Sequence, residues 1–157
     1  MTVAGDFTQE AGASIAMTLS GTGGAANRIV LVSANGQLTL DGALILNGNA
    51  GEAANNLAGS GYFVLFDNAG TGAVSGGFSS IMLNGVNYGA IADGGTFTDA
   101  NGYTYTLSYQ GNAATGALTG GNDVLLHVVP EPGIWALLAG GLGLLFCGQR
   151  LRRRSHC

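Results

Sequence analysis

Apolar and polar residues alternate through the first 128 residues in short runs with the two-residue period of β-strands. Ile15, Met17 and Leu19 alternate with Ala16 and Thr18. Residues 29–32 form a continuous apolar run, Leu38 and Leu40 alternate, and residues 43–46 follow the turn dipeptide Asp41-Gly42. Residues 62–66 are aromatic and apolar, which suits a buried strand. Residues 81–83 and 86–91 lie on either side of Asn84-Gly85. The clearest strand is 103–109, with Tyr103, Tyr105, Leu107 and Tyr109 on one face and Thr104, Thr106 and Ser108 on the other. Residues 124–129 are the last strand before the pattern changes.

The punctuation between these runs agrees with an all-β body. Asn-Gly begins at Asn35, Asn47, Asn84 and Asn101, and Asp-Gly at Asp41 and Asp93; each dipeptide favours positive φ in a tight turn. No segment before Pro132 has a helical period with caps. Residues 49–57 come nearest and read as a loop or at most one helical turn. Turn dipeptides favour hairpins. The stretch 36–48, however, looks like rungs of a solenoid, in which short strands joined by Gly/Asn corners stack to bury a continuous core. The sequence leaves parallel and antiparallel arrangements open.

At residue 129 the pattern gives way to Val129-Pro130-Glu131-Pro132, an apolar run over 134–148 and then Gln149-Arg150-Leu151-Arg152-Arg153-Arg154. Pro132 suits the first turn of a helix, and Glu131 sits where a helix N-terminus favours negative charge. Ile134, Trp135, Leu137, Leu138, Leu142, Leu144, Leu145 and Phe146 supply the apolar bulk of the run, which has no polar face. Residues 134–148 as a helix measure roughly 22 Å, and residues 132–149 roughly 27 Å, against a hydrocarbon core of about 30 Å. The run therefore predicts a single span through a thin or locally thinned bilayer. Trp135 lies at one interface. Arg150, Arg152, Arg153 and Arg154 lie at the other and stay cytoplasmic by the positive-inside rule, leaving the body outside the cytoplasm. The chain thus divides into a body, 1–128, and a tail, 129–157.

Pro130-Glu131-Pro132, a short apolar span and terminal arginines, in that order, resemble the PEP-CTERM sorting signal of Gram-negative bacteria. The resemblance implies an exported protein held in the inner membrane by its tail, then recognised and cleaved by a membrane enzyme, exosortase. The catalytic cysteine belongs to that enzyme, so Cys147 and Cys157 inherit no role. A second resemblance covers the body. The stretches 3–9, 36–44 and 105–126, the last ending in Gly120-Gly121-Asn122-Asp123-Val124-Leu125-Leu126, look like the terminal rungs of autotransporter-type passenger β-helices. It implies a parallel β-helix end or, for about residues 61–129, a β-sandwich-like cap of hairpins, followed by the transmembrane helix.

Composition narrows the function. Charged residues are 9% of the chain, lysine is absent and glycine accounts for 29 of 157 residues, yet 46% are hydrophobic, which is too apolar for a disordered chain. All nine acidic residues lie in 1–131 beside a single arginine, Arg28, while 132–157 holds four arginines and no acid. An acidic body argues against a nucleic-acid partner. Both cysteines lie in the tail, so the body has no disulfide framework and no cysteine zinc site. The first six residues lack a basic region followed by an apolar one. Export of the body therefore leads us to expect either a longer gene product carrying an upstream signal and further rungs, or a start assigned too late.

Chemistry-bearing residues of the body are isolated from one another in the pattern. His127 faces away from Val124, Leu126 and Val128 and has no evident nucleophile or orienting partner. Gly120-Gly121-Asn122-Asp123 resembles half of a calcium repeat without its second turn and reads as a turn into a strand. Gly21-Thr22-Gly23-Gly24 lacks the lysine of a phosphate loop. Asp93 and Asp99 could pair as carboxylates but read more simply as turn residues. Tyr103, Tyr105 and Tyr109 could stack on sugar rings but suit a core. The expectation is a non-enzymatic surface or extracellular-matrix protein, adhesive or resident in exopolysaccharide and biofilm, with no cofactor or metal. The alternative is a polysaccharide-binding or polysaccharide-degrading β-helix enzyme; Arg28, the only cation of the body, makes a lyase a poor fit.

Overall fold

The computed structural model describes residues 1–19, 28–48 and 61–129, and these contain strands and no helix. The Pro-Glu-Pro motif, the apolar span, the arginine cluster and the loop expected at 49–57 lie outside the described residues. The strands are β1 (Thr2–Val3), β2 (Phe7–Thr8), β3 (Ser14–Thr18), β4 (Ile29–Leu31), β5 (Leu38–Leu40), β6 (Ala43–Asn47), β7 (Tyr62–Asn68), β8 (Ser75–Gly76), β9 (Ser80–Leu83), β10 (Val86–Asn87), β11 (Thr96–Thr98), β12 (Thr104–Gly111) and β13 (Asp123–Val129).

The described residues are all-β, with three sheets, none of them closed. The chain passes through these sheets in the same order three times. β1, β4 and β7 pair in parallel in the first sheet, β2, β5 and β8 in the second, and β3, β6 and β9 in the third. Equivalent residues therefore stack. Ile15 pairs with Leu44 and Leu44 with Ile81; Met17 pairs with Leu46 and Leu46 with Leu83. All of these but Ile15, which is half-buried, are buried in one core with Leu31, Leu38, Leu40, Phe63 and Phe66. At about 1.5–3 kcal/mol for each fully buried aliphatic or aromatic side chain, this column is the main source of stability.

Antiparallel strands continue the first and third sheets. β13 runs antiparallel along β7, β12 along β13 and β11 along β12, while β10 folds back on β9. They form no sheet of their own. The turn dipeptides thus serve two purposes. Asn84 (φ 50°) and Gly85 (φ 85°) close a two-residue hairpin between β9 and β10, as the dipeptide rule expects. Asp41-Gly42 instead turns a corner between β5 and β6, and Asn47-Gly48 ends β6. The expected run 86–91 is a regular strand only over Val86–Asn87; Tyr88 N still donates to the Ile81 carbonyl and Gly89 (φ 73°) O still accepts from Ile81 N, after which the chain leaves β9. The strands β1, β2, β8 and β11 are two or three residues long and carry too little pattern to be read from sequence.

Side chains fasten successive passes at their corners. Asp6 Oδ1 accepts from Gln37 N (2.9 Å). Asn84 Oδ1 accepts from Gly48 N and its Nδ2 donates to Gly48 O, both at 2.9 Å. Arg28 makes a 3.3 Å ion pair with Asp67. Buried Gln9 donates to the carbonyls of Ala13 and Ala43, but its Oε1 has no partner, which leaves a desolvated acceptor costing roughly 1–3 kcal/mol.

Two glycines with similar positive φ separate conformational strain from crowding. A Cβ on Gly42 (φ 74°) would lie 2.3 Å from the Ala13 carbonyl oxygen and 2.9 Å from that of Glu10, whereas one on Gly89 (φ 73°) meets nothing within 4 Å. Gly89→Ala is expected to cost about 1–2 kcal/mol from the left-handed conformation alone, and Gly42→Ala clearly more. Equilibrium urea unfolding of the two variants measures the difference; equal losses would mean that the corner is not packed as described.

Candidate functional site: a cleft beside β8

The geometry of the site starts from an irregularity in β12. Ser108 pairs with Leu125 and Gly111 with Asp123, so β12 spends one more residue than β13 over this interval. This bulge releases Tyr109 and Gln110 from the regular ladder and re-aims them, as bulges do. The Tyr109 backbone N–H donates to Asp93 Oδ1 (2.7 Å) and the Gln110 side-chain amide to Asp93 Oδ2 (3.0 Å). Buried Ser108 Oγ lies 2.6 Å from the Leu118 carbonyl and 3.2 Å from Asp93 Oδ1. The Tyr109 hydroxyl crosses to the third pass, where it accepts the Phe78 N–H (3.0 Å) and donates to the Ile91 carbonyl (3.2 Å).

These groups border a cleft of about 580 Å³. One wall is Ala73, Val74, Gly76 and Gly77 around β8. The other is Ala90, Ile91, Ala92 and Asp93, and Phe78, Tyr109, Gln110 and Gly121 close it. A smaller hollow of about 340 Å³ lies at the first pass, among Met1, Phe7, Ile15, Met17 and Ile29. The floor of the cleft is small and apolar, and its polar groups stand at the rim. Burial, opposed by the Phe78 N–H and reinforced by Asp93, raises the Tyr109 hydroxyl above the ordinary tyrosine range, so it is neutral at physiological pH. The set can position a ligand by hydrogen bonds and shape; its one hydroxyl–carboxylate contact, Ser108 Oγ to Asp93 Oδ1, involves a buried serine held at 2.6 Å by the Leu118 carbonyl.

The structure separates the candidates drawn from sequence. Asp93 and Asp99 share no partner. Asp93 organises the bulge, and Asp99 Oδ1 caps its own turn by accepting from Asn101 N (2.9 Å) and Tyr103 N (3.0 Å), while its Oδ2 accepts from the Tyr105 hydroxyl (2.9 Å). Tyr105 and Tyr109 are buried and Tyr103 packs against the core, so they offer no platform for a sugar ring. Tyr105 stacks on Phe97 with ring centroids 5.0 Å apart, and Phe7, Phe66, Phe78 and Tyr109 form a chain of ring contacts 5.6–6.2 Å apart. Asp123 uses its carboxylate to accept from Asn68 N and Ala113 N, both at 2.7 Å, which accounts for it as a turn residue. His127 is half-buried opposite Thr106 and Tyr62. Among the described residues no three histidine, cysteine, aspartate or glutamate side chains group as metal ligands. The cleft itself is invisible in the sequence, since a bulge leaves no mark in an alternating pattern; the polar pair Asp93 and Gln110 was its only trace.

The Tyr105–Asp99 contact has a pH signature. Burial first, then the hydrogen bond and charge of Asp99, push the Tyr105 hydroxyl well above the ordinary value of 10.0. The unfolded chain then releases this proton before the folded one, so the stabilisation is whole below pH 10 and is lost as pH rises beyond it. The urea midpoint should fall between about pH 9 and pH 11, and fall less steeply in Tyr105→Phe, the slope being set by the proton difference between the two states. Parallel slopes would show that Tyr105 is not the group responsible. No known protein family, curated protein or solved structure matches this chain.

Proposed function

We propose that the chain is an exported surface or extracellular-matrix protein, held in the inner membrane by residues 129–157 and sorted or cleaved by an exosortase. The observation that carries this reading is the order of the tail: Pro130-Glu131-Pro132, then a charge-free apolar run, then Arg150, Arg152, Arg153 and Arg154. A turn, a minimal span and a cation cluster support a membrane location and an orientation with the body on the non-cytoplasmic side.

Threefold parallel stacking supports reading the body as the end of a parallel β-helix of the passenger type, with β10–β13 as its antiparallel cap. A body with one cationic side chain and no lysine, in which Asp99 and Asp123 are engaged in turns, supports a structural or adhesive role in an exopolysaccharide-rich matrix. The arrangement of Asp93 and Asp99 in separate networks weighs against the alternative, a polysaccharide-degrading enzyme, because glycoside hydrolysis needs two carboxylates flanking one bond.

The test is the mass and location of the mature protein in cells with and without the exosortase. Enzyme-dependent loss of the segment beginning near Pro130, with surface release of the body, is the expected result. Removal of residues 131–154 should abolish surface localisation. An intact chain in the inner membrane in both strains would reduce the tail to a simple anchor.

A further inference from the structure

We propose that the cleft beside β8 binds an extended polypeptide segment bearing a lysine or arginine, by strand addition to the free edge of the second sheet. Each sheet contains one strand from the third pass. β7 is covered by antiparallel β13 and β9 by antiparallel β10, but β8 has no such strand among the described residues. The cleft lies at that uncovered edge. It is lined by β8 and its flanks and by no residue of β5, so it opens on the side of β8 away from its parallel neighbour.

On either side of β8, side chains satisfy backbone groups of the flanking chain. Asn122 Nδ2 donates to the carbonyls of Gly70 and Gly72, and the Tyr109 hydroxyl accepts the Phe78 N–H. Between these clamps, Ser75 and Gly76 are exposed. A strand must approach to about 4.8 Å to join a ladder, and the facing wall of Ala90 and Ala92 has the small side chains that permit it. Peptide addition to a sheet edge takes its affinity from such main-chain bonds and its specificity from the pockets beside them.

Charge selects the segment. Asp93 stands exposed on the cleft wall and no cationic side chain lines it; Arg28, the one cationic side chain among the described residues, is engaged by Asp67. An incoming lysine or arginine would complete the environment of Asp93. A saccharide fits less well, because the rings at the cleft, Phe78 and Tyr109, are buried and present no open face.

The experiment uses isotopically labelled full-length chain in detergent micelles, titrated with an eight-residue peptide that alternates threonine and alanine around a central lysine. Saturable shifts centred on the Gly76 amide, which lines the cleft, are expected; the Gly77 N–H is already donated to the Leu40 carbonyl. Methylating alternate peptide nitrogens should weaken binding about tenfold or more, as the loss of edge hydrogen bonds requires. Exchanging the lysine for glutamate should weaken it about fivefold or more by charge repulsion. Ala90→Trp and, independently, Ala73→Trp, both at exposed positions, should block the shifts while leaving the remaining spectrum folded. Absence of shifts at millimolar peptide, equal binding of the methylated peptide, or unchanged binding by both tryptophan variants overturns the proposal. Shifts produced by dextran and not by the peptide would overturn it in favour of a saccharide cleft.

Discussion

Everything in this body depends on parallel register between successive passes. When a chain repeats its path with equivalent residues side by side, each inward side chain rests on the equivalent one before it. Ile15, Leu44 and Ile81 form one such column, and Met17, Leu46 and Leu83 another. A slip of one residue would turn the column to solvent and bring polar neighbours inward. The corners must therefore return the chain to the same register each time. Gly42, tight against the Ala13 and Glu10 carbonyls, and Asn84, bonded to both backbone groups of Gly48, do so at two of them.

The same constraint explains why the parallel passes give way to antiparallel strands. An open strand edge is a hazard, and β13 and β10 close two of the three edges left by the third pass. Closure ties distant parts of the chain together. Asn122 and Asp123, adjacent in sequence, bond to Gly70, Gly72, Asn68 and Ala113. Because β12 must both pair with β13 and reach back to the third pass, it bulges at Tyr109 and Gln110, and the cleft arises there.

Much of the fold was legible in the sequence because burial is periodic. The longer strands announced themselves through alternation, and the row of Tyr103, Tyr105, Leu107 and Tyr109 is core, as its period implies. Direction was not legible. Asn-Gly and Asp-Gly specify positive φ, but they leave open whether the next strand folds back or continues onto another sheet; Asn84-Gly85 makes a hairpin and Asp41-Gly42 a corner. Nor were β8 and β11, too short to show a period, or the burial of Leu125 under Gly111 on a strand whose apolar face was read as Val124, Leu126 and Val128. The tail from residue 129 presents the opposite case. Its information is linear, an order of a turn, an apolar span and charges, and the described residues end at its threshold.

Asn-Gly sequences are also the sites where proteins age. The backbone nitrogen of the glycine attacks the asparagine side-chain carbonyl, ammonia leaves, and water hydrolyses the cyclic imide that forms to aspartate or isoaspartate. In the hairpin between β9 and β10 this chemistry is held back, because both side-chain atoms of Asn84 are engaged with Gly48 and are not free to swing toward Gly85 N. Asn101, exposed in the turn that Asp99 caps, has no such side-chain restraint among the described residues, and there it is the Gly102 N–H that is engaged, by the Asp99 carbonyl (3.1 Å). Two copies of one dipeptide are thus restrained at different atoms, and the register clamp that aligns the second and third passes also restrains the side chain that makes it.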